Sequence, residues 1–323
     1  MRILSGIQPS GTLHIGNYFG AMKPSIDLQE KGETFLFIAD YHSLTTQPDA
    51  KDLQDRVRSV TLDFLACGID PEKTVFFRQS DIPEVTELTW ILSCSTSTGL
   101  LERCHSYKDK VANGFTPNSG LFSYPVLMAS DILMYHADVV PVGKDQKQHL
   151  EVTRDIAKSF NFLYKKEIFR MPKEIIQEHV AVIPGIDGRK MSKSYNNTIE
   201  IFGGKKAIRK KVMKIETDSK GIDDIKDPES CNIFNLYKFF ATEEEQQVLA
   251  EKYRSENIGF GYGHAKQELF EKMWDYFAPM RERREELAND MDYVDSILHK
   301  GAERARKEAQ KTMDTVRKIV GLR

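Results

Sequence analysis

Glycine, histidine and amide residues are concentrated just after the first apolar run of the chain. Residues 6–18 read GIQPSGTLHIGNY and follow a strand candidate at residues 3–6. In an open α/β sheet, ligands bind beyond the carboxyl ends of the strands, and a helix that begins there offers unpaired N–H groups to phosphate. His14 and Asn17 can donate hydrogen bonds to phosphate oxygens, and Gly16 lets a flat base approach the backbone. The motif predicts a nucleotide site, although a capped helix with a surface histidine explains it equally well on its own.

A second group of charged and hydroxyl residues lies at residues 188–194, which read GRKMSKS. Lys190 and Lys193 flank hydroxyl side chains, and such a loop can wrap a polyphosphate and offset the charge that builds as pyrophosphate departs. A solvated basic loop is the ordinary alternative for so short a charged string. The presence of both motifs in one chain, in this order, favours phosphate binding for each.

Short apolar runs alternate with helical patterns in the first half of the chain, as in a doubly wound parallel sheet. The strand candidates are residues 3–6, 34–39, 74–77, 138–142 and 180–183. Apolar residues at positions 53, 57, 60 and 64 indicate one helix, and another is expected from about Asp145 to Phe160. We therefore predict an α/β fold with a Rossmann-like parallel-sheet catalytic domain over residues 1–195.

The pattern changes beyond Asn197, where the strand signal fades. Apolar residues with steps of three and four run from Leu287 to Val320, which indicates helix. Gly301 is expected to bend or interrupt this helix, because glycine in a helix interior costs about 1 kcal/mol relative to alanine. Residues 196–323 are predicted to form a C-terminal helical domain.

The composition is that of an ordinary folded protein. Of the 323 residues, 40% are hydrophobic and 29% are charged, and the net charge is -2. No apolar run approaches the roughly 18 residues of a membrane span, and the N-terminus lacks the features of a signal peptide. The four cysteines lie far apart without a CxxC pair, so neither a disulfide framework nor a zinc site is expected. We expect a cytoplasmic protein without a membrane partner.

Residues 14–17 correspond to a variant HIGH motif and residues 190–194 to a complete KMSKS motif, so the chain resembles the class I aminoacyl-tRNA synthetases. Residues 5–11, 14–18, 130–133 and 141–149 are similar to blocks of the tryptophanyl branch of bacterial type. The resemblance spans nearly the whole chain. It implies that ATP, with Mg²⁺, activates L-tryptophan as an adenylate and that tRNA(Trp) then accepts the acyl group. It also implies a homodimer and a tRNA- or anticodon-binding role for residues 196–323.

The same resemblance implies roles for individual residues. The catalytic residues would be His14, Asn17, Lys190 and Lys193. The residues implied to bind ATP are Gln8, Pro9, Ser10, Gly16, Asn17, Lys110, Gly143, Lys144, Asp145, Val182, Lys190, Met191, Ser192, Lys193 and Ser194. Lys108 and Lys110 match a basic loop that faces the triphosphate in relatives, and surface lysines are the alternative there.

Tryptophan specificity is expected to depend on a carboxylate, because the indole N–H is a lone donor on a large apolar ring and needs an acceptor. Asp131 stands in an otherwise apolar helical stretch, and the resemblance makes it the indole partner. An N-cap or an internal ion pair is the alternative role for such a residue. Met128 and Tyr124 lie upstream and are expected to contact the ring, while His42 and Gln146 are further contact candidates.

The resemblance leaves two features open. Some relatives carry an iron–sulfur cluster, but here only Cys231 is a plausible counterpart and residues 259–264 contain no cysteine, so no cluster and no protein metal site are predicted. Candidate RNA contacts occur in two basic runs, for which a solvated surface is the alternative. These runs comprise Lys205, Lys206, Arg209, Lys210, Lys211 and Lys214, and Arg304, Arg306, Lys307, Lys311, Arg317 and Lys318.

Other functions fit part of the pattern. A tyrosyl-tRNA synthetase is the alternative in specificity, and a small-molecule adenylyltransferase with a HIGH-like turn is the alternative in reaction class. A noncatalytic RNA-binding relative is disfavoured by the intact His14 and Lys193.

Overall fold

A parallel sheet forms the centre of the first part of the chain in the computed structural model, which describes residues 1–104, 114, 118–142, 147–176, 183–256 and 258–322. Five strands lie in the order β3-β2-β1-β4-β5, and every pairing is parallel. The strands are β1 (Arg2–Ile7), β2 (Glu33–Ile38), β3 (Thr74–Arg78), β4 (Val139–Val142) and β5 (Lys173–Ile176). The order reverses between β1 and β4, which makes their carboxyl ends the expected ligand-binding edge. The predicted α/β fold is confirmed.

Each observed strand can be compared with the strand that the sequence predicted at that place. The first four predicted strands are confirmed, with bounds that differ by a residue or two. The strand β5 was not predicted, because Lys173 and Glu174 give it a charged beginning; it lies at the edge of the sheet, where charged residues are common. The expected strand at residues 180–183 lies outside the described residues except for Ile183.

Helices make up most of the remaining described chain. The predicted helices at residues 53–64 and 145–160 are confirmed as the helices Ala50–Ala66 and Lys147–Tyr164. No helix within the described residues is long and apolar enough to cross a bilayer. The other α-helices are Ile15–Asn17, Lys23–Asp27, Asp40–Ser43, Glu84–Ser93, Thr98–Glu102, Ser119–Met134, Lys205–Val212, Asn232–Tyr237, Glu243–Arg254, Tyr262–Tyr276, Ala278–Ala288 and Met291–Val320.

Contacts divide the chain into two compact units, neither of which is a single stretch of sequence. The first unit comprises Met1–Gly11, Ser25–His179 and Asp290–Arg323, and the second comprises Thr12–Pro24 and Val180–Asn289. This division differs from the expected boundary after residue 195, because the helix Met291–Val320 packs on the sheet of the first unit. The tRNA-binding role expected for residues 196–323 stays a prediction.

Gly301 shows how closely that helix packs. The helix runs unbroken from Met291 to Val320, so the expected interruption at Gly301 was wrong, and a bend there stays a prediction. A Cβ atom at Gly301 would lie 2.7 Å from the carbonyl carbon of Phe76 in β3, and closer still to its oxygen. Glycine is therefore required by the contact between two backbones. The Oγ1 of Thr312 donates to the Met134 carbonyl at 2.7 Å and fixes the helix further along.

Candidate active site

His14 is buried in the second unit, with 4% of its surface exposed. It caps the helix Ile15–Asn17, and its Nδ1 accepts a hydrogen bond from the Asn17 backbone N–H at 3.2 Å. The Oδ1 of Asn17 accepts in return from the His14 N–H at 3.4 Å. Because Nδ1 is an acceptor, the proton of the neutral imidazole is on Nε2, which is left as the donor.

The charge state of His14 follows from its surroundings. Burial, followed by the positive charge of Lys193, lowers the pKa of His14 to about 4; Glu200 acts in the opposite direction, and Lys211 adds to the lowering. A histidine with this pKa is neutral at pH 7. His14 can therefore donate one hydrogen bond to an anion without carrying a charge of its own.

Gly16 joins the two motifs. Its backbone N–H contacts the sulfur of Met191 at 3.3 Å, and a Cβ atom on Gly16 would lie 3.1 Å from the Met191 Cβ and 3.0 Å from the His14 Nδ1. The Ile15 N–H is also engaged, by the Ile199 carbonyl at 3.0 Å. The expectation that these first N–H groups are unpaired was therefore wrong, since the second motif and its neighbours already bind them.

An aromatic cluster holds the helical segment that follows His14. The Tyr18 ring lies 5.1 Å from that of Phe277, and its hydroxyl is 3.3 Å from the Tyr276 hydroxyl. The Phe19 ring lies 5.5 Å from that of Phe240. Edge-to-face ring pairs of this kind stabilise a fixed geometry. The cluster anchors the first motif within the second unit.

The loop that carries the second motif is fastened by one buried asparagine, Asn197, which is 1% exposed. Its Oδ1 accepts from the Ser192 N–H at 2.7 Å, and its Nδ2 donates to Asp187 at 2.7 Å and to the Lys190 carbonyl at 3.1 Å. Met191 points inward and is 4% exposed. The side chain of Asn197 thus closes residues 187–197 into a compact loop.

The charged and hydroxyl side chains of this loop lie on its outside. Lys190, Lys193 and Ser194 are exposed and Ser192 is half-buried, with the Ser192 and Ser194 hydroxyls 2.8 Å apart. The structure therefore brings His14, Gly16 and Asn17 together with residues 190–194 in one unit, as a phosphate site requires. Burial of Met191 shows that it anchors the loop by packing.

The remaining predicted nucleotide contacts divide into two groups. Gln8, Pro9 and Ser10 follow β1 in the first unit, at the switch point of the sheet; Pro9 is buried, and the Ser10 N–H donates to the Gln8 carbonyl at 2.8 Å. The others lie outside the described residues: Lys108, Lys110, Gly143, Lys144, Asp145 and Val182.

Asp131 lies in the first unit, buried to 2% exposure near the end of the helix Ser119–Met134. Its carboxylate accepts from the Nε2 of His42 at 2.9 Å and from the Nε2 of Gln79 at 2.8 and 2.9 Å. Burial raises the pKa of Asp131, and the hydrogen bonds from His42 and Gln79 oppose that rise. The N-cap alternative was wrong, because Asn118 caps this helix through the Leu121 N–H at 2.8 Å.

The expected aromatic contacts lie on the same side of that helix. Tyr124, Met128 and Asp131 are spaced by four and three residues, which places them on one helix face. Tyr124 and Met128 are half-buried, and the Tyr124 ring lies 6.4 Å from the His42 ring. The structure thus groups four of the five predicted tryptophan contacts, while Gln146 lies outside the described residues.

Sequence reasoning missed Gln79 and Asn197. Gln79 directly follows β3, and His42 follows β2, so the shared carboxyl edge of the sheet was a signal for both. Asn197 gave no such signal, because polar residues are expected near any surface loop.

Part of the second basic run has structural partners within the first unit. Arg306 pairs with Glu84 at 3.1 Å, and the Nε of Arg317 donates to Glu87 at 2.8 Å. Lys206, Lys210 and Lys214 of the first run are exposed and have no ion pair within the described part of the chain. The first run therefore keeps more charge available for a partner.

Comparisons with known proteins agree with this arrangement. The family model for class I tRNA synthetases (W and Y) matches residues 1–278. The chain is 54% identical over 321 residues to tryptophan–tRNA ligase of Fusobacterium nucleatum, covering 99% of this chain and 98% of that protein. It is 53% identical over 323 residues to tryptophan–tRNA ligase of Rhodopirellula baltica, covering all of both proteins.

A solved structure resembles the fold over the same length. Tryptophanyl-tRNA synthetase of Campylobacter jejuni, crystallised with ADP and tryptophan, has a TM-score of 0.96 and 50% identity, covering 99% of this chain and 100% of that one. The described site and these full-length similarities lead to one conclusion: the chain belongs to the class I tRNA synthetases of the tryptophan and tyrosine family.

Proposed function

We propose that this protein is a tryptophan–tRNA ligase, which activates L-tryptophan with ATP and transfers it to tRNA(Trp). Full-length relatives at 54% and 53% identity carry that name, and the related structure at 50% identity was crystallised with tryptophan. The observation that carries the choice of amino acid is the buried carboxylate of Asp131, on a helix face shared with Tyr124 and Met128. Such a group supplies the acceptor that an indole N–H needs.

In the activation step, a carboxylate oxygen of tryptophan attacks the α-phosphorus of ATP and pyrophosphate leaves. The step brings two anions together and needs no covalent help from the protein, so positioning and charge compensation are the main requirements. His14 donates through Nε2 to a phosphate oxygen, while Lys190 and Lys193 offset the charge that develops on pyrophosphate. Asn17 acts by holding His14 in its rotamer and tautomer.

In the transfer step, a hydroxyl of the terminal ribose of tRNA attacks the carbonyl carbon of the adenylate and AMP leaves. The exposed lysines of the helix Lys205–Val212 and its neighbour Lys214 are suited to contacts with RNA phosphates. Mutating them should raise the KM for tRNA and reduce its salt dependence, while leaving adenylate formation unchanged.

Mg²⁺ enters this proposal as part of the ATP substrate. Within the described residues, no group of three or more histidine, cysteine, aspartate or glutamate side chains is placed to hold a metal ion. We therefore assign no step to a metal held by the protein. The absence of an iron–sulfur cluster stays a prediction, and iron and sulfide analysis after anaerobic purification would test it.

We further propose a cytoplasmic homodimer. Trp90 is 72% exposed on the helix Glu84–Ser93, whose opposite face is buried in the first unit. Exposed tryptophan is enriched at protein interfaces. In a Trp274→Phe variant, Trp90 is the remaining tryptophan. Because the proposed dimer buries Trp90, its fluorescence emission should shift to shorter wavelength as the protein concentration rises. Sedimentation would give the mass, and a monomer that still charges tRNA would contradict the dimer.

Exchange of pyrophosphate into ATP tests the proposed activity. Exchange should depend on tryptophan, with phenylalanine far less effective, because a site built around a required hydrogen bond can discriminate by about 10⁴-fold. Tyrosine is the harder control, because its hydroxyl could also donate and its smaller ring must be excluded by packing and geometry. Asp131→Ala should lose most of the preference for tryptophan over phenylalanine without a change in ATP affinity. Asp155→Ala, an exposed aspartate in the same unit, is the matched control. Exchange that tyrosine supports better than tryptophan would overturn the specificity, and adenylation without transfer to tRNA would overturn the reaction class.

A further inference from the structure

The acceptor at the proposed tryptophan site is held by a glutamine that the sequence motifs do not include. Gln79 is 1% exposed, and its Nε2 lies 2.8 Å from Oδ1 and 2.9 Å from Oδ2 of Asp131. The Nε2 of His42 lies 2.9 Å from the same Oδ2. Gln79 and His42 follow adjacent strands, so the sheet edge itself sets their positions.

The distribution of these donors leaves one part of the carboxylate open. Each carboxylate oxygen has two lone-pair directions. Oδ2 receives both His42 and Gln79, whereas Oδ1 receives only Gln79 among the residues that the structure describes. The remaining acceptor direction is therefore on Oδ1.

We propose that Gln79 is a specificity-determining positioning residue, which together with His42 fixes Asp131 so that Oδ1 alone accepts the indole N–H. This inference rests on the proposed function and adds the residue that sets its acceptor geometry. Gln79 acts through Asp131, and the proposal assigns it no contact with the substrate.

The other end of the Gln79 amide supports a functional role over a packing role. Its Oε1 is buried and has no hydrogen-bond partner in the described structure. An unsatisfied buried acceptor is costly, so packing alone would favour an apolar side chain of similar length. Turning the amide around would bring Oε1 against the carboxylate, so the orientation is fixed by Asp131.

The surroundings of Asp131 disfavour its ionised form, and the hydrogen bonds to its carboxylate oppose this effect. Burial raises the pKa of the Asp131 carboxyl and the charge of Asp40 adds to this, while the hydrogen bonds from His42 and Gln79 act against it. Tyr135, also buried, directly follows the helix Ser119–Met134 and keeps its own proton because burial raises its pKa. Gln79 is thus an uncharged donor that orients the carboxylate, and its hydrogen bond opposes the rise in the pKa of Asp131.

A substrate analogue separates positioning from general structural damage. In L-3-benzothienylalanine, a sulfur atom replaces the indole N–H, so the analogue fills the same space without the donor. The ratio of kcat/KM for tryptophan to kcat/KM for this analogue, measured by pyrophosphate exchange, reports the hydrogen bond to Asp131. Gln79→Met removes the donor at similar side-chain volume. Gln79→Asn keeps the amide but, because the side chain is one methylene group shorter, places it farther from Asp131.

The expected result is a fall of about 10-fold to 100-fold in that ratio for Gln79→Met, because small misplacements of a positioned group have effects of this size. Gln79→Asn should show a smaller fall, and the KM for ATP should stay unchanged in both. Gln54→Met, at an exposed glutamine of the same unit, should behave like wild type.

An unchanged ratio in a folded Gln79 variant would overturn the inference, since damage to folding lowers both kcat/KM values together. If Gln79→Met does not fold, the ratio in Gln79→Asn decides. Absence of tryptophan-dependent exchange in the wild-type protein would refute the proposed function itself. An unchanged ratio in a Gln79 variant, with normal exchange in the wild type, would refute only the role of Gln79, so the two failures are distinguishable.

Discussion

Replacement of Gly301 by alanine sets two effects of opposite sign against each other. In an isolated helix, the change stabilises by about 1 kcal/mol, because alanine loses less backbone entropy than glycine. In this structure, the new Cβ would lie 2.7 Å from the carbonyl carbon of Phe76 and closer still to its oxygen. The sign of the measured change therefore reports which effect is larger.

The geometry favours destabilisation. Carbon atoms in contact are normally about 3.5–4.0 Å apart, and the Phe76 oxygen is closer to the new Cβ than the carbon is, so the helix and β3 would have to separate by at least about 1 Å. The obstacle is backbone, which cannot move aside as a flexible side chain can. The separation would also loosen buried Ala305 and Ala309 on the same helix. Overpacking typically costs 1–3 kcal/mol, and with backbone on both sides we expect the upper end, which leaves a net loss of about 2 kcal/mol.

Urea unfolding measures this loss. Gly301→Ala should lower the urea midpoint, and in thermal unfolding a loss of about 2 kcal/mol should lower the Tm of a chain of this length by roughly 3 °C. Gly263→Ala is the matched control, because a Cβ at this helical glycine meets nothing within 4 Å, and that variant should be as stable as wild type or more so. If Gly301→Ala is stabilised as much as Gly263→Ala, the close contact with β3 does not exist.

Three further predictions concern the second unit. Lys193→Ala should lower the rate of adenylate formation by ~10²-fold or more with little change in tryptophan binding, as measured by single-turnover activation at saturating ATP; an unchanged rate would remove Lys193 from the mechanism. His14 has a pKa of about 4 when folded against 6.5 ordinarily, so as pH falls from 6.5 to 4 the unfolded chain binds a proton that the folded chain does not. The free energy of unfolding should fall by up to about 3 kcal/mol over that range relative to His14→Asn, and identical pH profiles in urea unfolding would contradict it. Asn197→Ala should cost about 2–3 kcal/mol and expose residues 187–197 to proteolysis, because three hydrogen bonds are lost, one of them to Asp187; resistance equal to that of wild type would show that the loop has other support.

The sequence predicts the sheet well because a parallel sheet needs apolar runs. Leu36 in β2 and Phe76 in β3 are each 1% exposed, and runs of this kind are hard to mistake. The charged start of β5 hides an edge strand for the same reason. The place of the last helix could not be predicted, because periodicity shows that a helix has a buried face but not which element covers it.

The residues of the candidate site also divide into those that the sequence identifies and those that only the structure shows. His14 and Lys193 belong to motifs that are contiguous in sequence, so they could be identified without a structure. Gln79 acts through a side chain that meets another segment only after folding, and its role depends on tertiary distance, which a single sequence does not contain. Asn197 binds residues of its own loop, but the loop conformation that brings these residues together is also not given by a single sequence. The contact between the Gly16 N–H and Met191 was hidden because these residues also meet only after folding.

The order in which the two units occur along the chain has a consequence for synthesis on the ribosome. Residues 180–289 of the second unit emerge after most of the first unit but before Asp290–Arg323, which complete it. Until that helix is made, the face of β3 that it covers and the Met134 carbonyl that Thr312 binds lack their partners. The second unit can therefore reach its folded state on the ribosome while the first still exposes apolar surface, a state that chaperones bind. A ribosome stalled within residues 290–320 would hold a chain that contains both motifs and all five strands but lacks part of the helix that covers β3.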